Sequence, residues 1–205
     1  MEKRKNKFIF IAGGSFQGKS LIAMHLANKY KYSGVISTDM VRNLLRNMAT
    51  PEDKEKYYST STYRMRKANL NRQKQDVSKK IEDLLPIYEE RGEKMIFEGM
   101  HFSDKFIKKL SKSDYLKIFI NNDLGLKDKV RLKGVTRNSL SVEKEMERFS
   151  YGSTTYSKFE NRIIEIHKDM KKVCEQNGFN IVSFTEIGDG KKQCCELVDD
   201  YLRKK

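Results

Sequence analysis

The chain has 205 residues, long enough for one α/β domain with a core of its own, and no break in composition argues for a second. Lys and Arg outnumber Asp and Glu by 42 to 28, and the net charge of +14 favours anionic partners over neutral ones, unless it is simply spread over a lysine-rich surface. Two prolines are too few for long disordered linkers, so with 38% hydrophobic residues the core has to come from a few concentrated apolar strands.

The basic start MEKRKNK precedes five apolar residues, Phe8 to Ala12, too few for a secretory core, and no later run reaches the length of a membrane span. A soluble, cytoplasmic protein with no membrane partner is expected. The apolar run predicts a first strand. Directly after it stands GGSFQGKS, a complete GxxxxGKS phosphate-binding loop made of Gly13, Gly14, Ser15, Phe16, Gln17, Gly18, Lys19 and Ser20, and a helical pattern follows to Tyr30. Glycines let such a backbone curl so that successive N–H groups point inward at an oligophosphate, and the helix adds the positive end of its dipole. Lys19 is then placed to meet the β- and γ-phosphates of a nucleotide and Ser20 to hold Mg²⁺.

Further along, GVIS (34–37) reads as a second strand, and Val41, Leu44, Leu45 and Met48 as a helix for which Asp39 is a cap or first-turn residue. Thr50, Pro51, Glu52 and Asp53 mark another helix start. From Asn69 to Arg91 one helical face recurs, with Pro86 expected to kink it and Gly92 to end it. KMIF (94–97) makes a third strand ending at Glu98 and Gly99, residues 102–110 a short helix, and YLKIFI (115–120) a fourth strand. The stretch 121–156, with weak periodicity, three glycines and several arginines, reads as a mobile lid. A helix over 159–176, a strand at NIVSF (180–184) and a closing helix over 193–202 complete the order. Strands alternating with helices imply a doubly wound parallel sheet of five strands with helices on both faces. Cys174, Cys194 and Cys195 have neither metal-ligand spacing nor the even number of a disulfide framework, which fits reduced thiols.

In such a sheet ligands collect at the carboxyl ends of the strands, where the loop, Asp39 with Arg42, and Glu98 with His101 all fall. Asp39 is either a helix cap or a carboxylate that accepts the proton of an attacking hydroxyl. Arg42, three residues on, either grips an anionic acceptor or is a solvated surface charge. Glu98, ending a buried strand, is placed to bind Mg²⁺ through water. His101 is as readily a structural histidine as a substrate ligand. In the lid, Arg131, Arg137 and Arg148, with Lys133, are candidates to close over the γ-phosphoryl group, Arg137 and Arg131 foremost. Between Tyr57 and Lys80, Tyr57, Tyr58 and Tyr63 interleave with Arg64, Arg66, Lys67, Arg72 and Lys74, a pattern that serves single-stranded nucleic acid, an arm for a small phosphate ester, or an ordinary amphipathic helix.

Together, IAGGSFQGKS, VISTDMVRNLLR and MIFEGMHF resemble the archaeal 2-phosphoglycerate kinases, a branch of the P-loop kinases. STDxxR followed by EGxH is the more specific part. The resemblance spans about residues 7–184 and implies a single P-loop kinase domain over 1–205, with an acceptor-binding arm at about 50–80 and the lid at about 121–156. It implies ATP- and Mg²⁺-dependent phosphorylation of a hydroxyl on a small phosphorylated acid. Lys19 and Ser20 would then lie at ATP, Asp39 and Arg42 near the acceptor, and Glu98 near Mg²⁺. A 5′-hydroxyl polynucleotide kinase and a nucleotide-dependent binding protein are the alternatives.

Overall fold

Alternation of Phe and Ile in the first strand sets the two layers of the core. Successive strand side chains point to opposite faces, so Phe8, Phe10 and Ala12 enter one cluster and Ile9 and Ile11 the other. The same division runs through the neighbouring strands, with Phe97 and Phe119 on the first face and Ile96, Ile118 and Ile120 on the second. A computed structural model describes residues 8–58, 65–125 and 156–203. It contains β1 (Ile9–Ala12), β2 (Gly34–Ser37), β3 (Met95–Gly99), β4 (Leu116–Asn122) and β5 (Asn180–Phe184), parallel throughout and ordered β2-β3-β1-β4-β5.

The described helices are α1 (Lys19–Tyr30), α2 (Thr38–Met48), α3 (Pro51–Lys56), α4 (Lys67–Glu90), α5 (Asp104–Leu110), α6 (Tyr156–Gln176) and α7 (Ile187–Arg203). Ile22, Ala23 and Leu26 of α1 with Cys194, Cys195 and Val198 of α7 cover the aliphatic face. Val41 of α2, Val77 and Ile81 of α4, Phe106 of α5 and Ile166 and Met170 of α6 cover the aromatic one, where Phe10 stacks on Phe97 at 5.1 Å and meets Phe106 edge-on at 5.7 Å. Each such side chain taken fully out of water contributes roughly 2 kcal/mol. Because β1 is central and the chain leaves first toward β2 and later toward β4, the loop after β1 opens at the point where the winding reverses, the usual ligand crevice of open α/β sheets.

Several details differ from the sequence reading. Ser37, not Asp39, caps α2, its hydroxyl accepting the Asp39 N–H at 3.2 Å, which leaves the Asp39 carboxylate free of that duty. Helix α4 begins at Lys67, two residues before the expected start, and contains Pro86. Asn121 and Asn122, placed in the lid from sequence, are the last residues of β4. Helix α7 starts six residues before the expected position, with Gly188 and Gly190 in its first turns; a Cβ on Gly190 would stand 2.5 Å from the Phe184 ring, so glycine there lets α7 close on β5. Thr50 caps α3 as expected, accepting from the Asp53 N–H, with Pro51 at the start. Positions 126–155, with Arg131, Lys133, Arg137 and Arg148, and 59–64, with Tyr63 and Arg64, lie outside the described residues. Among the described residues no helix is long and apolar enough to cross a membrane. Cys174, Cys194 and Cys195 are buried and unbridged.

Candidate active site

The phosphate-type loop is held from both sides. Gln17, only 3% exposed, accepts the Asn122 N–H at 2.7 Å, tying the loop to the end of β4. The Gly14 N–H donates to Nδ1 of His167 on α6 at 3.1 Å, and the other ring nitrogen of His167 lies 2.9 Å from Oδ1 of Asn121. Phe16 takes a left-handed backbone, φ 63°, at the tip, and Gly18, φ 83°, precedes α1. Lys19 folds over the loop and donates to the Gly14 carbonyl at 2.6 Å. Burial pushes its ammonium pKa down, a shift that the charges of Glu98 and Asp39 oppose, so both carboxylates act on this lysine.

Ser20 opens α1 and donates to Oε1 of Glu98 at 3.0 Å, joining the loop to the end of β3. Glu98 is buried, 4% exposed. Two hard oxygens in contact fit Mg²⁺, which takes one or two protein ligands and fills the rest of its shell with phosphate oxygens and water. Among the described residues no group of three or more His, Cys, Asp or Glu could hold a metal ion, so a fully protein-built cage is not what these residues offer.

Beyond Glu98, β3 turns past α2 at a distance only glycine permits. Gly99 has φ 151°, and a Cβ on it would stand 1.8 Å from Oγ1 of Thr38. That close approach lets the Thr38 hydroxyl accept the His101 N–H at 3.4 Å and meet the His101 ring at 3.2 Å, both wholly buried. Gly99→Ala is therefore expected to cost about 2–3 kcal/mol of stability by overpacking, read as a lowered urea midpoint, while Gly92→Ala, with no atom within 4 Å of the new methyl, should pay only for its own φ of 66°.

His101 Nδ1 lies 3.5 Å from Oδ1 of Asp39, and the Arg42 guanidinium 3.7 Å from that same oxygen. Burial lowers the His101 pKa to about 3, with the nearby charges of Arg42, Lys74 and Lys19 adding to the effect and Asp39 opposing it. The imidazole is thus neutral near pH 7, and the carboxylate of Asp39 is met by one neutral ring and one guanidinium. The Asp39 side chain is 66% exposed whereas that of Arg42 is 11% exposed, so the carboxylate presents itself to solvent from a base that is fixed.

Lys19, Ser20, Glu98, Asp39, Arg42 and His101 therefore gather in one place, as the topology of the strand ends requires. Lys74, one of the basic residues interleaved with tyrosines, is 8% exposed, and burial pulls its pKa down against the pull of Asp104, with its charge felt at His101. Among the described residues of the same stretch, Tyr58, 8% exposed, donates to Asp76, Arg72 pairs with Asp76 at 3.2 Å, and Arg46 bonds the Tyr58 carbonyl. His167 and Asn121 carried no readable signal, since they lie 153 and 107 positions from Gly14 and neither stands in a motif. On the far side of the loop a cleft of about 470 Å³ opens at the ends of β4 and β5, lined by Asp123, Ser183, Thr185, Asp189, Lys192 and Gln193.

No family model matches the chain. A Dictyostelium discoideum protein described only as uncharacterized is 30% identical over 127 residues, 55% of this chain and 15% of its own length. The 2-phosphoglycerate kinase of Methanococcus vannielii is 24% identical over 214 aligned positions, 97% of this chain and 66% of that protein. The chain thus spans less than two thirds of the length of either curated relative. Among solved structures, shikimate kinase from Acinetobacter baumannii in complex with shikimate superposes with a TM-score of 0.59 at 10% identity, over 98% of this chain and 96% of that one. The chain has the P-loop kinase fold. In this chain Ser20 after the loop meets Glu98 at the end of β3, and the charges of Glu98 and Asp39 both reach Lys19.

Proposed function

We propose that this chain is an ATP- and Mg²⁺-dependent phosphotransferase that moves the γ-phosphoryl group of ATP to a hydroxyl of a small anionic metabolite, with 2-phosphoglycerate as the first candidate acceptor. The observation that carries the reading is Asp39: an exposed carboxylate beside a fixed guanidinium and a neutral histidine, whose charge reaches the loop lysine. A simple nucleotide clamp needs Lys19 and Ser20 and has no use for that cluster. The acceptor hydroxyl gives its proton to Asp39 as its oxygen bonds to the γ-phosphorus, and the bond to the bridging oxygen breaks with ADP as the leaving group. Arg42 grips the anionic part of the acceptor. Lys19 follows the charge that moves onto the β- and γ-phosphate oxygens. Ser20 and Glu98 would hold Mg²⁺, which supplies further neutralisation of those oxygens. Arg137 and Arg131 are proposed to close over the transferring group, and the cleft by Asp123 and Asp189 to receive the nucleoside, on the opposite side of the loop from Asp39.

The likeness to the Methanococcus vannielii 2-phosphoglycerate kinase and the phrases STDxxR and EGxH support the acceptor class. Incubation with γ-labelled ATP, Mg²⁺ and either 2-phosphoglycerate or 5′-hydroxyl RNA tests it. Label in 2-phosphoglycerate is the expected result; label in RNA would make the chain a polynucleotide kinase, in keeping with its charge of +14, and label in neither would remove the substrate assignment. Lys74, buried and close enough to act on His101, is expected to contribute to acceptor binding: Lys74→Met should raise KM for the anionic acceptor about tenfold and leave KM for ATP within about twofold. Equal changes in both constants would place Lys74 outside the acceptor site.

A further inference from the structure

We infer that His167 is a positioning residue of the phosphate loop, working as a fixed acceptor that aims the Gly14 end of the loop; this rests on the reading of that loop as the site of the nucleotide phosphates. Loop amides that bind an oligophosphate have to point inward, and an amide at the loop entrance that finds no partner can rotate in and compete with them. Here the Gly14 N–H is turned outward onto Nδ1 of His167 at 3.1 Å. The ring can accept that bond only through an unprotonated Nδ1, and its tautomer is set from the other side. Asn121 spends its Nδ2 hydrogens on Oδ1 of Asp123 at 2.7 Å and Oγ of Ser183 at 3.0 Å, so its Oδ1 faces Nε2 of His167 as an acceptor at 2.9 Å. Nε2 therefore carries the hydrogen and Nδ1 the lone pair. Phe119, with its ring centroid 5.1 Å from that of His167, holds the imidazole from the sheet side.

The chain Ser183–Asn121–His167–Gly14 runs from β5 through β4 and α6 to the loop. Gln17 makes a second, separate tie from the loop to Asn122. The end of β4 thus reaches the loop at two points three residues apart, through His167 to Gly14 and directly to Gln17. Both ties reach the Asn121–Asn122 pair, the last two residues of β4, which Ser183 and Phe184 of β5 hold in the sheet.

Two substitutions separate this role from packing alone. His167→Asn keeps an acceptor at the position of Nδ1 and loses the reach to Asn121; His167→Gln keeps a donor near the position of Nε2 and loses the acceptor for Gly14. Titration calorimetry of wild type and both variants with MgATP, alongside thermal unfolding and amide exchange at Gly14, gives the readouts. The expected result is MgATP binding about fivefold to tenfold weaker in His167→Gln, with faster Gly14 exchange, and within about twofold of wild type in His167→Asn. Equal loss in both variants, or loss that follows the unfolding temperature and not the acceptor, overturns the positioning role. Wild-type binding with neither variant affected overturns it as well and leaves the phosphate site standing. Failure of the wild type to bind any nucleoside triphosphate with Mg²⁺ overturns both.

Discussion

Replacing Lys19 by Met is expected to lower kcat/KM at least about a hundredfold and at the same time to leave the fold as stable as before or more so. The two effects have one cause. Lys19 is buried, its pKa is pushed down by that burial, and the attraction of Glu98 and Asp39 does not make up the loss. An ammonium held in this way is costly to the folded protein and becomes favourable only when several phosphate oxygens arrive. Methionine fills a similar volume without the charge. The stability gain has a pH signature as well. Where a lysine pKa is lower in the folded state than its unfolded value of 10.5, the unfolded chain binds more protons, so the wild type gains stability as pH rises through the folded pKa toward 10.5. The advantage of Lys19→Met should accordingly be largest below the folded pKa of Lys19 and shrink as pH rises toward 10.5. Chemical denaturation of both proteins at pH 7 and pH 9.5 measures this; a variant that loses activity and stability together would mean that Lys19 is a structural residue with no phosphate to meet.

The strand–loop–helix unit was readable because its signal is local: an apolar run, eight motif residues and a helical period stand side by side. Asp39, Glu98 and His101 were readable one step less directly, through the rule that parallel strands deliver their carboxyl ends to one edge. Their separate duties were not. Whether Asp39 caps α2 depends on Ser37 two residues earlier, an equally good cap, and only the backbone of that turn decides between them. Lys74 and the tyrosine-rich stretch were legible only as a pattern open to three readings. Charge and aromatic spacing describe a helix surface without saying which side faces a neighbour, and burial against α5 and α6 turned one basic position into an interior one. The His167 contact could not be found by any local rule, since it joins residues from the two ends of the chain whose types are common in helices and turns.

Asp39→Asn is the change that separates transfer chemistry from nucleotide binding. It preserves size and hydrogen-bonding capacity, and with the side chain 66% exposed it should alter stability by no more than about 0.5 kcal/mol. A kinase loses the acceptor for the hydroxyl proton, and kcat should fall about 10²- to 10⁴-fold, with MgATP affinity within about twofold of the wild type. A protein that only senses ATP would keep its function intact in this variant, because Ser37 and not Asp39 holds the start of α2. The neighbouring groups sharpen the comparison. The Arg42 guanidinium lies 3.7 Å from the carboxylate, and His101 is neutral near pH 7, so Arg42→Gln should raise KM for an anionic acceptor more than it lowers kcat. Transfer rates and MgATP affinities measured side by side for the two variants then distinguish a base from an acceptor grip: a fall in kcat confined to Asp39→Asn identifies the proton acceptor, and an unchanged kcat there would return Asp39 to the role of a first-turn helix residue.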